Sequence, residues 1–352
     1  MPSQICHVLA GISSRKHAGF APDPQHIPLF NLGCQGPDIF AHNRRTKPFA
    51  LAYARLLHRR RYGAFCRVAA VSLRNSPDPQ IRAWLAGFVT HQAVDRMMHP
   101  YIVYRSAELP AKAVPGVSPA LYHAFFERII DVLILRRQTG RQAASFNTDP
   151  VFRLSRDACA ILSRFIAATL RSVYPESAAD DPLLEQRVTN AFWDTRYFYH
   201  LTNPARTGMS IPANKSAITH FSDRGPAGVA LLYPENPDAA VDWLNDSRSP
   251  WKDPVGGTPR HESAGDLFDR AVGEGAAVIR CLEAVLSGDE SPEALEQLAG
   301  NSCLSIQNAD GSIAAVSYAD PLDLPAELVR ETALRERWIS GLSVDPVKGE
   351  LV

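Results

Sequence analysis

Apolar residues along this chain recur mostly at helical spacing, and nowhere do they alternate convincingly as in a half-buried strand. In "SPDPQIRAWLAGFVTHQAVDRMMHP" (76–100), Ile81, Leu85 and Phe88 share one helical face, with Trp84, Val89 and Val94 beside it. Asp78 and Pro79 suit a helix start and Pro100 a stop, so one helix is predicted up to His99. A second is marked by Ser118 as N-cap, Pro119 in the first turn and Gly140 after "PALYHAFFERIIDVLILRRQT". The same pattern predicts helices over Pro48–Leu73, 151–174, 183–201, 264–286 and 292–299. Between Thr207 and Gly265 the text turns to Pro, Gly, Asn, Asp and Ser, as in "NDSRSPWKDPVGGTPRHESAG". Trp243 and Trp251 within it argue for a long, irregular but ordered loop region. The expected fold class is all-α, with a helical domain over 1–205 and a loop-rich and helical extension over 206–352 packed on it.

Composition narrows the function classes. Lys plus Arg and Asp plus Glu both number 37, so the net charge is zero and general attraction to nucleic acid is unsupported. The charge is uneven, however: Ile39–Pro77 holds no acidic residue, while Arg44, Arg45, Lys47, Arg55, Arg59, Arg60, Arg61, Arg67 and Arg74 are cationic. That stretch reads either as a solvated basic face or as an attractor for an anionic substrate or surface. Six cysteines without a CxxC pair fit neither a zinc ribbon nor a disulfide framework. The first residues lack the charged start of a secretory signal, and no apolar run approaches the ~20 residues of a membrane helix. The expectation is a soluble, cytoplasmic protein.

Candidate chemistry sits in two trios. Positions four apart on a helix are offset by about 40° and one turn of rise. His91, Asp95 and His99 therefore form one stripe, and His123, Glu127 and Asp131 form another. Each trio alone also fits a capping or hydrogen-bonding pair. Two helices presenting His and carboxylate at this spacing are a way to build a metal site inside a bundle, and a His/carboxylate set without cysteine suits zinc among the divalent metals. Gly87, one turn before His91, would leave room for its imidazole. Asp131 reads as an outer partner or a solvated carboxylate rather than a ligand.

The motifs "LGCQGPDIF", "LLHRRRYGAF", "GFVTHQAVDRMMHPYI" and "YHAFFERIID" resemble, in order and spacing, the bacterial zinc-dependent phospholipase C family. That family is related to trinuclear-zinc phospholipases C and single-strand-specific nucleases. The likeness spans residues 1–140, with "WKDPVGG" and "SAGDLFDRA" as fainter later segments. It implies a multi-helix phospholipase C/nuclease-like bundle binding up to three Zn2+ ions. Asp38, His58, His91 and Asp95 would hold the first, Asp95 would bridge to another that also binds His7, and His99, His123 and Glu127 would hold the third. The spacing from Asp95 to His99 is shorter than in the secreted relatives, and a backbone leaving the helix before Pro100 would relax it. His42 rivals His58, which the family pattern and the surrounding helix favour. His17, His26, His200, His220 and His261 lack ligand-spaced partners. The relatives also bind zinc through the mature N-terminal amine, so the Pro2 nitrogen is a candidate ligand or a frayed end.

The implied activity is zinc-dependent hydrolysis of a phospholipid or other phosphodiester, a metal-bound hydroxide attacking phosphorus and Asp38 ligating or orienting that water as catalytic residue and general base. Peripheral contact with an anionic membrane surface fits the acid-free stretch. A single-strand nuclease or other phosphoesterase on the same scaffold, or a non-enzymatic metal-stabilised domain binding lipid or protein, are the alternatives. Zero net charge makes nucleic acid the weaker substrate.

Overall fold

The computed structural model describes residues 4–107, 113–210 and 215–341. The chain is built from helices: α1 Gln4–Ala18, α2 Ile27–Cys34, α3 Asp38–Ala41, α4 Leu51–Arg59, α5 Tyr62–Asn75, α6 Pro79–Phe88, α7 His91–Ser106 and α8 Pro119–Thr139 come first. After them follow α9 Thr148–Val151, α10 Arg156–Val173, α11 Pro175–Ala178, α12 Leu184–Leu201, α13 Pro204–Thr207, α14 Lys215–Ser222 and α15 Gly225–Val229. A ribbon of β1 Trp251–Lys252 and β2 Pro259–Arg260 precedes α16 Ala264–Ser287, α17 Pro292–Ala299 and α18 Leu324–Ser340. The all-α expectation holds, since these two-residue antiparallel strands are the only ones named among the described residues.

Local chemistry sets many of the ends. The Asp78 carboxylate accepts from the amides of Gln80 and Ile81 with Pro79 at the first helical position, which starts α6. Ser263 and Asp266 form a reciprocal capping box at the start of α16. Gly140, at φ +69°, closes α8.

Three expectations are corrected. The predicted helix up to His99 is two helices, because the backbone turns at Val89–Thr90 between α6 and α7. Pro100 does not stop α7, which runs on to Ser106. Proline there removes one backbone donor, but Tyr101, Ile102 and Tyr104 beyond it are buried in a core with α8 and α16, and the Tyr101 hydroxyl donates to the Trp243 carbonyl. The predicted Pro48–Leu73 helix is likewise broken, with Arg60 extended and Arg61 left-handed at φ 59°. The amides of Arg61 and Gly63 donate instead to the carbonyls of Asn301 and Gly300, so a distant segment fixes the corner.

Around α7 pack α1, α8 and α16, and α16 also lies along α1 and α5. Two large apolar clusters result, one centred on α2, α5, α6, α10 and α12, the other on α7, α8 and α16. Trp243 and Trp251 are buried in the second, as the expected order requires, but the stretch expected to be one irregular region holds α14, α15 and the β-ribbon, with turns and irregular chain between them among the described residues. At the far end α18 packs on α8, α14 and α15, and its fully buried Arg335 binds Glu331 and the carbonyls of Thr207 and Tyr233. No helix of the described residues is long and apolar enough to cross a membrane.

Candidate metal centre

His91 opens α7, and Asp95 and His99 follow one turn apart. Towards this stripe α1 brings His7, α3 opens on Asp38, and the last turn of α4 brings His58, while α8 brings His123 and Glu127. His91 Nε2 lies 3.2 Å from Asp95 Oδ2, and His7 Nε2 lies 3.5 Å from Asp95 Oδ1. His58 Nε2 is 3.1 Å from Asp38 Oδ1 and 3.8 Å from Asp95 Oδ2. The rings of His7 and His91 stack with centroids 4.2 Å apart. Further along α7, Glu127 Oε1 is 2.9 Å from His123 Nε2 and 3.9 Å from His99 Nε2. Among the described residues, three groupings have all their donor atoms within 4.8 Å of one another: His7, Asp38 and His91; His58, His91 and Asp95; His99, His123 and Glu127.

The hydrogen bonds on the far side of each ring set its tautomer. His58 Nδ1 faces the Ala54 carbonyl at 2.7 Å, and His91 Nδ1 faces the Cys34 carbonyl at 3.2 Å. A carbonyl only accepts, so both Nδ1 atoms carry the proton and both Nε2 lone pairs point inward. At His123, the Ser106 hydroxyl already donates to the Ile102 carbonyl, so its oxygen accepts from His123 Nδ1 at 3.0 Å. Lone pairs therefore converge on carboxylate oxygens, an arrangement of acceptors facing acceptors. Both oxygens of Asp95, both ring nitrogens of His7, Nε2 of His58 and His91, and Oδ1 of Asp38 are buried with no hydrogen-bond partner among the described residues. Buried polar atoms left in this state are costly unless a cation or proton joins them, and hard and borderline donors of this kind fit zinc.

Electrostatics agree. Burial raises the cost of the Asp95 carboxylate, yet His91 and His7 beside it hold its pKa well below the usual range. Asp38 is lowered against the same penalty by His58. Burial also opposes protonation of His91, and Asp95 outweighs it and raises that pKa. For His7 burial wins and the ring is pushed towards neutrality. Two carboxylates held in their charged form thus sit in an apolar interior, with His7 beside them pushed towards the neutral form and His91 drawn towards Asp95.

Several residues act by holding others. Asp131 accepts the amides of Ile5 and Cys6, both at 2.9 Å, so it anchors the start of α1 and with it His7. Burial pushes its pKa up to about 6. Gly87 does not make room for His91: a Cβ there would lie 2.0 Å from the Phe30 carbonyl, so it allows α2 and α6 to close together. The space for His91 comes from Gly36, at φ +51°, where a Cβ would sit 2.3 Å from the imidazole. Sequence reasoning missed Gly36, although its place in "GCQGPD" beside Asp38 was a signal. The Leu304 amide donates to the His58 carbonyl, and the Arg96 guanidinium binds the carbonyls of Ala299, Gly300 and Ser302. A strap of chain from far downstream thus braces the His58 corner.

His42 stands outside the donor groupings. It stacks on Phe198 at 4.7 Å, and burial pushes its pKa down to about 4. His200 pairs with Asp149, His261 faces the Arg248 carbonyl, and neither they nor His17, His26 and His220 join a grouping. His99 keeps helical geometry despite Pro100. The Pro2 nitrogen lies outside the described residues.

A cleft of about 730 Å³ opens beside the centre, with Asp38, His123 and Glu127 in its lining. Ala41, Leu121, Phe198 and Leu231 give it an apolar wall.

No curated protein and no solved structure matches the chain. A family model described as zinc dependent phospholipase C matches residues 3–179, half of the 352, and this stretch contains His7, Asp38, His58, His91, Asp95, His99, His123 and Glu127. The chain belongs to the zinc-dependent phospholipase C family.

Proposed function

We propose that the chain is a zinc-dependent phosphodiester hydrolase of the phospholipase C type, with His7, Asp38, His58, His91 and Asp95 as one ligand set and His99, His123 and Glu127 as another. The observation that carries this reading is the convergence around Asp95 of buried carboxylate oxygens and imidazole nitrogens without hydrogen-bond partners among the described residues. Zinc held there supplies Lewis acidity towards a phosphoryl oxygen and makes coordinated water acidic near neutral pH.

The chain's own residues divide the remaining work. Of the carboxylates in the group around Asp95, Asp38 alone lines the cleft, so it is the one able to take the proton of the attacking water. The water oxygen bonds to phosphorus, the bond from phosphorus to the glycerol oxygen breaks, and that oxygen leaves with a proton. Asp95 is fully buried and holds charge rather than moving protons. Ser106 and the carbonyls of Ala54 and Cys34 keep His123, His58 and His91 in the tautomer that aims Nε2 inward. The apolar wall suits the glycerol and acyl end of a lipid.

Elemental analysis of the purified protein, followed by hydrolysis of a soluble short-chain phospholipid with and without chelator, tests the reading. Zinc should copurify, chelation should abolish turnover, and added zinc should restore it. Equal turnover by the metal-free protein would end the proposal.

A further inference from the structure

Beyond the ligand groups, the cleft carries more positive charge than its own acidic residues balance. Arg44, Arg45, Arg128 and Arg224 all line it, and none forms an ion pair with a carboxylate among the described residues. Arg44 Nε donates to the Ala41 carbonyl at 3.0 Å, and the Arg45 guanidinium lies 4.2 Å from the centre of the Tyr197 ring. Arg128 is only 4% exposed, and its guanidinium hydrogen-bonds the carbonyls of Leu231 and Ala124 at 2.9 and 2.7 Å. The guanidinium also lies over the Tyr233 ring at 5.7 Å and close enough to Asp131 to act on its carboxyl, without an ion pair to it.

The acidic residues of the cleft are committed elsewhere. Asp38 and Glu127 belong to the ligand groups. Asp194 accepts from Asn43 Nδ2, the amides of Arg45 and Thr46, and the Thr46 hydroxyl, which consumes its oxygens in shaping the loop that presents Arg44 and Arg45. A head group bearing an ammonium would face guanidinium and find no carboxylate to bind. One bearing phosphate would meet planar, multi-donor partners suited to it.

We propose that the cleft selects a phosphodiester lipid whose head group carries a further phosphate, bound by Arg44 and Arg45 at the rim with Arg128 behind them. This rests on the hydrolase reading, and it assigns the substrate class of that site. It also places the function of the acid-free stretch in Arg44 and Arg45, at the mouth of the cleft.

The test uses zinc-loaded full-length protein and monomeric short-chain substrates: phosphatidylinositol 4-phosphate, phosphatidylcholine and a single-stranded oligonucleotide. The phosphorylated inositol lipid should be turned over with kcat/KM at least about tenfold above phosphatidylcholine, the size of effect one charge-assisted contact brings. Arg45→Ala and Arg44→Ala, both at exposed positions, should raise KM for it about tenfold each, raise KM for phosphatidylcholine by a clearly smaller factor, and weaken the salt dependence of the phosphorylated lipid. Calorimetric binding of inositol 1,4-bisphosphate supplies a readout independent of turnover, and both variants should weaken it. If no lipid is hydrolysed but the bisphosphate binds through Arg44 and Arg45, the hydrolase reading fails while the anion site stands. Equal or better turnover of phosphatidylcholine, faster cleavage of the oligonucleotide, or bisphosphate affinity indifferent to both arginines would overturn the inference.

Discussion

Asp95 concentrates the chemistry of the centre in one side chain. It is fully buried, neither oxygen has a hydrogen-bond partner among the described residues, and three imidazoles approach it from α1, α4 and its own helix. Asn has nearly the same shape but lacks the charge and turns one acceptor into a donor facing those imidazoles. Asp95→Asn should therefore lose more zinc than His123→Ala, which removes one ligand from the other grouping. Elemental analysis of the two variants at equal free zinc reads the difference, and full metal content in Asp95→Asn would refute its central role. Asp131 predicts a milder effect. It touches backbone amides of α1 rather than the donor atoms, so Asp131→Asn should weaken zinc affinity by roughly 10- to 100-fold and keep part of the turnover. An unchanged affinity would mean that α1 holds His7 in place without it.

At the scale of elements, the site depends on how tightly the turn between α2 and α3 passes under α7. Gly36 puts bare backbone against the His91 ring, and no other residue has both the positive φ and the missing Cβ. Gly36→Ala should displace His91 and empty the ligand set around Asp95, while the His99, His123 and Glu127 set further along α7 keeps its zinc. Titration with a zinc indicator should then find fewer ions per chain, and a full count would mean that the turn can shift without harm. The same scale explains what the sequence makes legible. Ends set by local chemistry, such as Asp78 with Pro79, Gly140 and Ser291 at the start of α17, can be read from a few adjacent residues. The two trios on α7 and α8 are legible for the same reason, since spacing of four on one helix is local. His7, Asp38 and His58 stand on separate elements, and only the family resemblance joined them to the trios. The break at Arg60–Arg61 was invisible because its cause, the carbonyls of Gly300 and Asn301, lies far along the chain. Gly87 misled because the face of a helix glycine depends on which neighbour packs there, here α2.

Across the molecule α18 joins α8, α14 and α15, and one buried pair on it carries a pH signature. Glu331 is buried beside Arg335, with Glu327 and Glu235 near it, and burial first, then those carboxylates, push its pKa up to about 7 against the pull of Arg335. In the unfolded chain the same group titrates near its ordinary value of 4.5. Between these values the folded chain holds a proton that the unfolded chain has released, so stability must fall as pH rises through the window. The contribution is fully present below about 4.5 and gone above about 7, with a slope of at most about 1.4 kcal/mol per pH unit for one group. Glu331→Gln keeps the side-chain shape and the hydrogen bond to Arg335 but cannot titrate. Urea unfolding from pH 4.5 to 7.5 should therefore give a flatter dependence for Glu331→Gln than for the unsubstituted protein. Zinc release and the other carboxylates contribute to both curves, so at matched zinc the difference between them isolates Glu331. A difference independent of pH would mean that Glu331 stays ionised throughout, with Arg335 offsetting its burial completely.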